Sequence, residues 1–204
     1  MAERIKEDYT KYYETIRVKG NGAFGYVLEG RERKTNELRA IKVIELNKIE
    51  SSLLCVEKSS TNLKEEIDKL KNEFNIMKQL SGNKNSVKCY EYFLNQNSFV
   101  IIMELCDKSL EDWLLEKYKK NKRGFNDKEI YEILIQLNQI FKTMKDNKIV
   151  HRDLKPENIL VKFIDDNNFI IKLSDYGCSK RLEVFSSKKM FTTKGIGNYS
   201  IYGS

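Results

Sequence analysis

The sequence predicts an α+β fold in which a strand-rich first half is followed by a helix-rich second half. Up to Met103, short apolar stretches alternate with polar residues at the period of a half-buried strand. After Met103, apolar residues recur at helical spacing, behind sequences that can form N-terminal capping boxes. This change of period predicts two structural parts with a cleft at their junction, near residues 104–107.

Five strands and one helix are predicted in the first half. The strands are expected at residues 15–18, 26–29, 38–44, 87–94 and 99–103. The helix is indicated by an apolar stripe with alternating spacings of four and three residues, formed by Leu63, Ile67, Leu70, Phe74 and Met77. Asn62 is its expected N-cap, with Glu65 three residues later. Residues 50–60 are polar and rich in serine, which predicts a surface loop ahead of the helix.

The second half is predicted to contain two capped helices and two short strands. The expected capping boxes are Ser109 with Asp112 and Asn126 with Glu129. The second box opens a long helix with seven apolar residues predicted to share one face: Ile130, Ile133, Leu134, Leu137, Ile140, Phe141 and Met144. The strands are expected at residues 159–161 and 170–173.

Composition and charge exclude several classes of protein. The chain has 204 residues, with 37 basic and 30 acidic side chains and a net charge of +7. The basic residues are mixed with acidic ones, and their densest cluster, at residues 117–123, ends a predicted helix, so no nucleic-acid partner is expected. No apolar run reaches the length of a membrane span, and the charged start does not resemble a signal peptide. An intracellular, cytoplasmic protein without a membrane partner is therefore expected, without excluding the nucleus.

The cysteine and histidine content argues against disulfides and metal clusters. The four cysteines contain no CxxC pair, and His151 is the single histidine of the sequence. A disulfide framework, a zinc site and a multi-histidine metal site are therefore not expected.

Two features of the first half indicate phosphate binding. Gly20, Gly22 and Gly25 lie between two predicted strands, where backbone amides can approach phosphate oxygens. Alone, such a loop is also typical of a tight hairpin, and the strand that follows argues against a dinucleotide fold. Lys42 lies in an apolar strand, and unless it faces water it needs a counter-charge.

The counter-charge of Lys42 could be a carboxylate of the predicted helix. Glu66 and Glu73 are seven residues apart, so they project from nearly the same face, about 10 Å apart along the axis. Spacing along the helix does not choose between them.

A third cluster, residues 151–158, contains the residue types that phosphoryl transfer requires. Asp153 can accept a hydroxyl proton, Lys155 can neutralise a phosphate, and Asn158 can ligate a hard cation through its amide oxygen. Asp175, which follows a predicted strand and precedes Tyr176 and Gly177, is a second candidate cation ligand.

Taken in order, these clusters resemble the eukaryotic protein kinase family, of the serine/threonine type, over about residues 13–199. The sequence HRDLKPEN at residues 151–158 is the most specific of the motifs. The resemblance implies a bilobal fold, with a five-stranded N-lobe sheet and C-helix at residues 10–103. Residues 104–204 would form the hinge and the first part of a mainly helical C-lobe, which stops within the activation segment.

The resemblance also implies that ATP is a cofactor and assigns its contacts. The three glycines would cover the phosphates, and Lys42 would hold the α- and β-phosphates. Lys42 would pair with Glu73, because residues 73–80 look like the C-helix segment of the family. The adenine contacts implied are Val27, Ala40 and Leu160 around the ring, Met103 as gatekeeper, and the backbone of Glu104 and Cys106.

For the chemical step, the resemblance implies Asp153 as the catalytic base, Lys155 as the γ-phosphate contact, and Asn158 and Asp175 as ligands of Mg²⁺. The side chains implied to stack as the regulatory spine are Met77, Cys89, His151 and Tyr176. His151 would then have a packing role.

The expected partners are a protein substrate, phosphorylated on serine or threonine, and an activating kinase. The lysine at residue 155, two residues after Asp153, makes this motif similar to that of the serine/threonine branch of the family. Arg152 resembles the basic residue that binds a phosphorylated activation loop, with Thr192 or Thr193 as the receiving residue.

The sequence departs from the family pattern in three places. Tyr176 stands where phenylalanine is usual, Ile196 stands where a threonine is usual, and no Ala-Pro-Glu follows residue 199. Two hypotheses therefore stand side by side: an active serine/threonine protein kinase, and a truncated, catalytically impaired kinase-like module that binds nucleotide or a partner protein without phosphotransfer.

Overall fold

A computed structural model describes residues 3–5, 8–54 and 62–181, without the side chains of residues 3–5 and 54.

The first half is built on the largest sheet that the structure describes, called the larger sheet below. The strands of this sheet are β1 (Glu3–Ile5), β2 (Tyr13–Gly22), β3 (Gly25–Glu32), β4 (Leu38–Glu45), β5 (Cys89–Leu94) and β6 (Ser98–Glu104). They are ordered β1-β5-β6-β4-β3-β2. The five predicted strands are confirmed as an antiparallel sheet, β2 to β6.

One strand of this sheet was not predicted. β1 pairs in parallel with β5 and extends the sheet at that edge. It is three residues long and lies in a charged stretch, so it carries no alternation from which a strand could be predicted.

Four helices are described: α1 (Leu46–Leu54), α2 (Leu63–Leu80), α3 (Leu110–Asn121) and α4 (Asp127–Asp146). The three predicted caps are confirmed, since the side chains of Asn62, Ser109 and Asn126 accept the backbone N–H groups three residues later. None of the described helices combines the length and apolarity needed to cross a membrane.

The prediction of a loop over residues 50–60 was wrong for its first part, which belongs to α1. Leu46 and Ile49 are buried in the main core and hold this helix against the protein. Its serines bond to the helix itself, with Ser51 Oγ donating to the Asn47 carbonyl at 2.8 Å and Ser52 Oγ to the Ile49 carbonyl at 2.7 Å. A polar surface face was therefore mistaken for a loop. Residues 55–61 lie outside the described residues.

The apolar face of α4 is narrower than predicted. Ile133, Leu137, Ile140 and Met144 are buried, whereas Leu134 is 60% exposed and Ile130 44%. The buried residues recur at spacings of four, three and four, which defines one stripe, and Ile130 and Leu134 lie beside it.

The second half is completed by short strands: β7 (Lys108–Ser109), β8 (Ile149–Val150), β9 (Ile159–Phe163), β10 (Phe169–Leu173) and β11 (Lys180–Arg181). β10, β9 and β7 form one sheet in that order, and β11 pairs with β8. A 3₁₀ turn, Pro156–Asn158, leads into β9, and another, Tyr9–Lys11, precedes β2.

The two halves meet in one hydrophobic core, which includes residues of α2, α4, β5, β9 and β10. Segment 85–87, after α2, also pairs with the end of β10. Leu173 N–H donates to the Asn85 carbonyl at 2.8 Å, and Val87 N–H donates to the Leu173 carbonyl at 3.0 Å. The residues after β10 are therefore held at a defined position relative to α2.

Candidate active site

A cavity of about 710 Å³ lies between the β2–β3 hairpin and the second half of the chain. It is lined by residues 20–27 of the hairpin and by Lys42, Glu73, Asn158 and Asp175. The structure thus brings together residues from five separate stretches of the sequence, all of which were singled out by their chemistry.

The glycines of the hairpin differ in what surrounds them. A Cβ at Gly25 would lie 1.9 Å from the carbonyl oxygen of Val43, so no side chain fits against β4 at this position. A Cβ at Gly20 would meet nothing within 4 Å, and one at Gly22 only the Gly25 carbonyl oxygen, at 3.7 Å. The protein's own packing therefore requires Gly25, whereas Gly20 and Gly22 leave open space beside the backbone.

Lys42 is held between two carboxylates. Its Nζ lies 2.7 Å from Glu73 Oε1 and 3.3 Å from Asp175 Oδ1. Burial alone would lower the pKa of Lys42, but the two carboxylates outweigh it and raise that pKa. Glu66 instead pairs with Lys69, at 2.6 Å. The alternative left open by helical spacing is thereby resolved in favour of Glu73.

Asp175 is ionised and turned toward Lys42. Burial would raise its pKa, but attraction and hydrogen bonding from Lys42, with a hydrogen bond from the Gly177 backbone, lower it. Its backbone has a φ of 58°, in the left-handed region that few residues other than glycine adopt. The carboxylate that faces the cavity therefore rests on an unusual backbone conformation.

Asp153, Lys155 and Asn158 form one connected group. Asn158 Nδ2 donates to the Asp153 carbonyl at 2.8 Å and to Asp153 Oδ2 at 2.9 Å. Lys155 Nζ lies 3.2 Å from Asp153 Oδ2, and the hydrogen bond and charge of Asp153 raise the pKa of Lys155. The Asn158 amide nitrogen is thus directed at Asp153, and its amide oxygen remains as the group that can ligate a cation.

His151 connects this group to the residues before Asp175. Its side chain is buried, and its Nε2 lies 2.9 Å from the carbonyl oxygen of Ser174, which accepts hydrogen bonds only. Nε2 therefore carries the proton in our assignment, and Nδ1 accepts the Asp153 N–H at 3.4 Å. The ring centroids of His151 and Tyr176 are 5.2 Å apart. These contacts agree with the packing role expected for His151.

Three of the side chains predicted to contact adenine lie on neighbouring strands of the larger sheet, whereas Leu160 lies on β9. Ala40 on β4 is opposite Met103 on β6, and Val27 on β3 is opposite Lys42. Of the predicted ring contacts, Val27 lines the 710 Å³ cavity, whereas Ala40, Leu160 and Met103 are outside its lining. Ala40 is buried, as are Glu104 and Cys106, which follow Met103.

Sequence reasoning missed the side chain of Glu104. Its Oε2 lies 2.7 Å from Lys172 Nζ, and its Oε1 lies 3.0 Å from Lys162 Nζ. Burial would raise the pKa of Glu104, but the hydrogen bonds from the two lysines lower it. The signal was present in the sequence: Lys172, like Lys42, is a lysine within an apolar strand and needs a counter-charge.

A second missed contact joins β2 to the segment that follows β6. Lys19, on β2, donates from Nζ to the carbonyl oxygen of Asp107 at 2.9 Å. No sequence signal pairs these residues, which are 88 positions apart.

Several predicted features cannot be placed. Thr192, Thr193 and Ile196, with the whole of residues 182–204, lie outside the described residues. Arg152 is described, with a φ of 66° and with its Nε donating to the Cys178 carbonyl at 2.6 Å.

Comparison with known proteins decides the family. The family model of the protein kinase domain matches residues 13–199. The chain belongs to the protein kinase family. Kinase domains of this family in general use ATP and a divalent metal ion and act on proteins. The kinase fold expected from the resemblance is confirmed.

Similar kinases include three from distant organisms. Serine/threonine-protein kinase DCLK3 of Homo sapiens is 31% identical over 196 residues, which cover 96% of this chain and 26% of that protein. Calcium-dependent protein kinase 5 of Plasmodium berghei (strain Anka) is 32% identical, over 86% of this chain and 28% of that kinase. Calcium-dependent protein kinase 27 of Arabidopsis thaliana is 33% identical, over 89% and 35%. The chain thus spans about a quarter to a third of the length of these relatives.

Proposed function

We propose that this kinase domain transfers the γ-phosphoryl group of ATP to serine or threonine hydroxyls of proteins, with Mg²⁺ as the metal ion. The observation that carries the proposal is the convergence of Lys42, Glu73, Asn158 and Asp175 on one cavity beneath the glycine hairpin. The names of the similar serine/threonine kinases support the class of acceptor.

The residues present fit ATP and Mg²⁺. The Asp175 carboxylate and the Asn158 amide supply the oxygen ligands that Mg²⁺ prefers. The open backbone at Gly20 and Gly22 can donate N–H groups to phosphate oxygens. When bound, ATP supplies the phosphoryl group and Mg²⁺ offsets the negative charge of its phosphates. Lys42, held by Glu73, would orient the α- and β-phosphates, and the adenine ring would be bound by Val27, Ala40, Met103, Leu160 and the backbone of Glu104 and Cys106.

In the transfer step, the acceptor hydroxyl oxygen would bond to the γ-phosphorus as the bond from that phosphorus to the bridging oxygen breaks, and ADP would leave with the bridging oxygen and the electron pair of that bond. Asp153 accepts the hydroxyl proton. Its Oδ2 is held by Asn158 and Lys155, so we assign the proton to Oδ1. Lys155 places a positive charge beside the γ-phosphoryl group, where it would offset the negative charge of the phosphoryl oxygens during transfer.

The proposal extends to the setting of the enzyme. We assign residues 10–103 to the N-lobe and 104–204 to the hinge and C-lobe, and Thr192 or Thr193 to an activating kinase. The cysteines with described side chains, Cys89, Cys106 and Cys178, are free thiols. Burial raises the pKa of Cys106 to about 12. Free thiols, two of them buried, support an intracellular, cytoplasmic location.

Transfer of radioactive phosphate from ATP to a generic protein substrate tests the proposal. We expect transfer by the unaltered chain and its loss in Asp153→Ala, by about 10³-fold or more, with ATP·Mg²⁺ binding retained. Asp68→Ala is the matched control, since Asp68 is an exposed carboxylate of α2 outside the cavity. Equal transfer by Asp153→Ala would contradict the assignment. Nucleotide binding without transfer by the unaltered chain would instead support the nucleotide-binding module.

A further inference from the structure

Tyr176 differs from the phenylalanine usual at its position by one hydroxyl group, and the structure shows what that hydroxyl contacts. The side chain is 1% exposed. Its OH lies 3.0 Å from Ser86 Oγ and donates to the carbonyl oxygen of Leu173 at 3.3 Å. Ser86 is itself completely buried. A phenylalanine ring would fill the same space but would leave the hydroxyl of Ser86 without this partner.

Both hydroxyl protons are satisfied in this arrangement. When Tyr176 donates to Leu173, Ser86 donates to the phenol oxygen, so each hydroxyl has an acceptor. A buried hydroxyl without a partner is costly, so the two side chains hold each other in place.

Ser86 is a rigid attachment point. Its neighbour Asn85 accepts the Leu173 N–H at 2.8 Å through its backbone, and donates from Nδ2 to the Ile171 carbonyl at 2.8 Å and to Gln136 Oε1 at 3.0 Å. The segment that carries Ser86 is thus bonded to β10 and to α4. Movement of the Tyr176 ring would break its bond to a part of the protein that does not follow it.

This restraint on Tyr176 also limits the backbone conformation of Asp175. Asp175 precedes Tyr176 directly and has a φ of 58°, which carries an energetic cost of its own. In this conformation Asp175 Oδ1 lies 3.3 Å from Lys42 Nζ, within the cavity. Relaxed backbone conformations compete with it unless the next residue is restrained. The buried ring of Tyr176, bonded to Ser86 and packed beside His151, supplies that restraint.

We propose that Tyr176 is a positioning residue, whose hydrogen bond to Ser86 holds Asp175 in the orientation that ligates the metal ion. The inference rests on the proposed function, because it concerns the metal ligand of that site. This positioning function depends on the hydroxyl of Tyr176, which a phenylalanine at residue 176 would lack.

The test compares Tyr176→Phe, Ser86→Ala and the double variant in the full chain. Tyr176→Phe removes one oxygen atom and keeps the ring, so the fold is retained. The first measurement is amide hydrogen exchange at Ser179, whose N–H donates to the Tyr176 carbonyl at 2.9 Å. Loss of the bond between Ser86 and Tyr176 is expected to speed this exchange about fivefold in Ser86→Ala, and at least as much in Tyr176→Phe, which also loses the bond to Leu173. The double variant is expected to be no faster than Tyr176→Phe, because that variant has already lost the bond that Ser86→Ala removes.

The second measurement separates binding of the metal ion from binding of the adenine ring. The Mg²⁺ concentration for half-maximal ATP binding is expected to rise at least about twofold in the single variants, because a smaller fraction of molecules has Asp175 oriented. Affinity for adenosine, which has no phosphate to bind a metal ion, is expected to stay unchanged. Tyr13→Phe is the matched control: Tyr13 is also buried, in a separate hydrophobic cluster formed by strands of the larger sheet, and its OH donates to Glu91 Oε1 at 2.7 Å.

Each outcome decides the matter. The proposal is supported by faster exchange at Ser179 and a higher Mg²⁺ requirement, with adenosine affinity and the Tyr13→Phe control unchanged. It is overturned by a Tyr176→Phe variant that behaves like Tyr13→Phe, by additive effects in the double variant, or by parallel losses of adenosine and Mg²⁺ binding. If the unaltered chain shows no Mg²⁺-dependent ATP binding, the proposed function fails, and the inference with it.

Discussion

Lys42 Nζ lies 2.7 Å from Glu73 Oε1, which joins the middle of β4 to the fourth turn of α2. Glu73 is 3% exposed, so this ion pair is shielded from solvent on the carboxylate side. The pair holds the Lys42 ammonium at the cavity, where Asp175 Oδ1 also lies 3.3 Å from Nζ. The position of α2 and the charge state of the cavity are therefore coupled.

Glu73→Gln is expected to lower kcat/KM for ATP by about 10- to 100-fold, because Lys42 loses the carboxylate that orients it and keeps only Asp175. Steady-state phosphotransfer at varied ATP concentrations measures the effect. Glu66→Gln is the matched control, since Glu66 also lines the cavity but pairs with Lys69. Its kcat/KM should stay within about twofold of the unaltered value. An equal loss in both variants would show that the Lys42–Glu73 pair is not the cause.

Glu104→Gln is expected to reduce the free energy of unfolding by about 2–4 kcal/mol, because it leaves the buried ammonium of Lys172 without a counter-charge. The side chains of Glu104 and Lys172 are 10% and 8% exposed. Urea-induced unfolding followed by circular dichroism measures the change. The control Glu116→Gln removes an exposed partner of Lys108 and should cost less than about 1 kcal/mol. Similar losses would argue against a special role for the buried pair.

The stability difference between the unaltered chain and Glu104→Gln should depend on pH. The pKa of Glu104 is lower in the folded protein than its ordinary value of 4.5. A carboxylate of this kind stabilises the fold above its unfolded-state pKa, and the stabilisation is lost as the pH falls through its folded-state pKa. Unfolding free energies of the two proteins should therefore differ most above pH about 5 and converge in more acidic solution. A difference that grows on acidification would refute the assignment.

Gly25→Ala is expected to lower the stability of the protein, and Gly20→Ala is expected to lower its affinity for ATP·Mg²⁺. At Gly25 the new Cβ would lie 1.9 Å from the Val43 carbonyl, so a loss of about 2 kcal/mol or more in unfolding free energy is expected. At Gly20 the Cβ meets open space, so stability should change by less than about 1 kcal/mol. ATP·Mg²⁺ affinity of Gly20→Ala should nevertheless fall about threefold or more, because the methyl group obstructs phosphate approach. Thermal unfolding with and without ATP·Mg²⁺ distinguishes the two effects, and unchanged affinity of Gly20→Ala would contradict phosphate binding there.

The parts of the fold that were predicted correctly are those with local causes. The helix caps at Asn62, Ser109 and Asn126 depend on residues three positions apart, and the strands of the larger sheet on alternation within a few residues. The failures have the opposite character. α1 was mistaken for a loop, because its exposed serine-rich face hid two buried anchoring residues, and β1 is defined by its partner strand and not by its own pattern.

Sequence alone identified the family and the residue types of the site, because the chemistry of phosphate, metal and proton handling demands particular side chains at short, ordered spacings. Tertiary packing decided which of those groups meet. It selected Glu73 over Glu66, paired Glu104 with Lys172, and brought Ser86 to the hydroxyl of Tyr176, 90 positions away. The reason is physical: a counter-charge or a hydrogen-bond partner is chosen by distance in space, and helix position and sheet register set that distance only once the whole core has assembled.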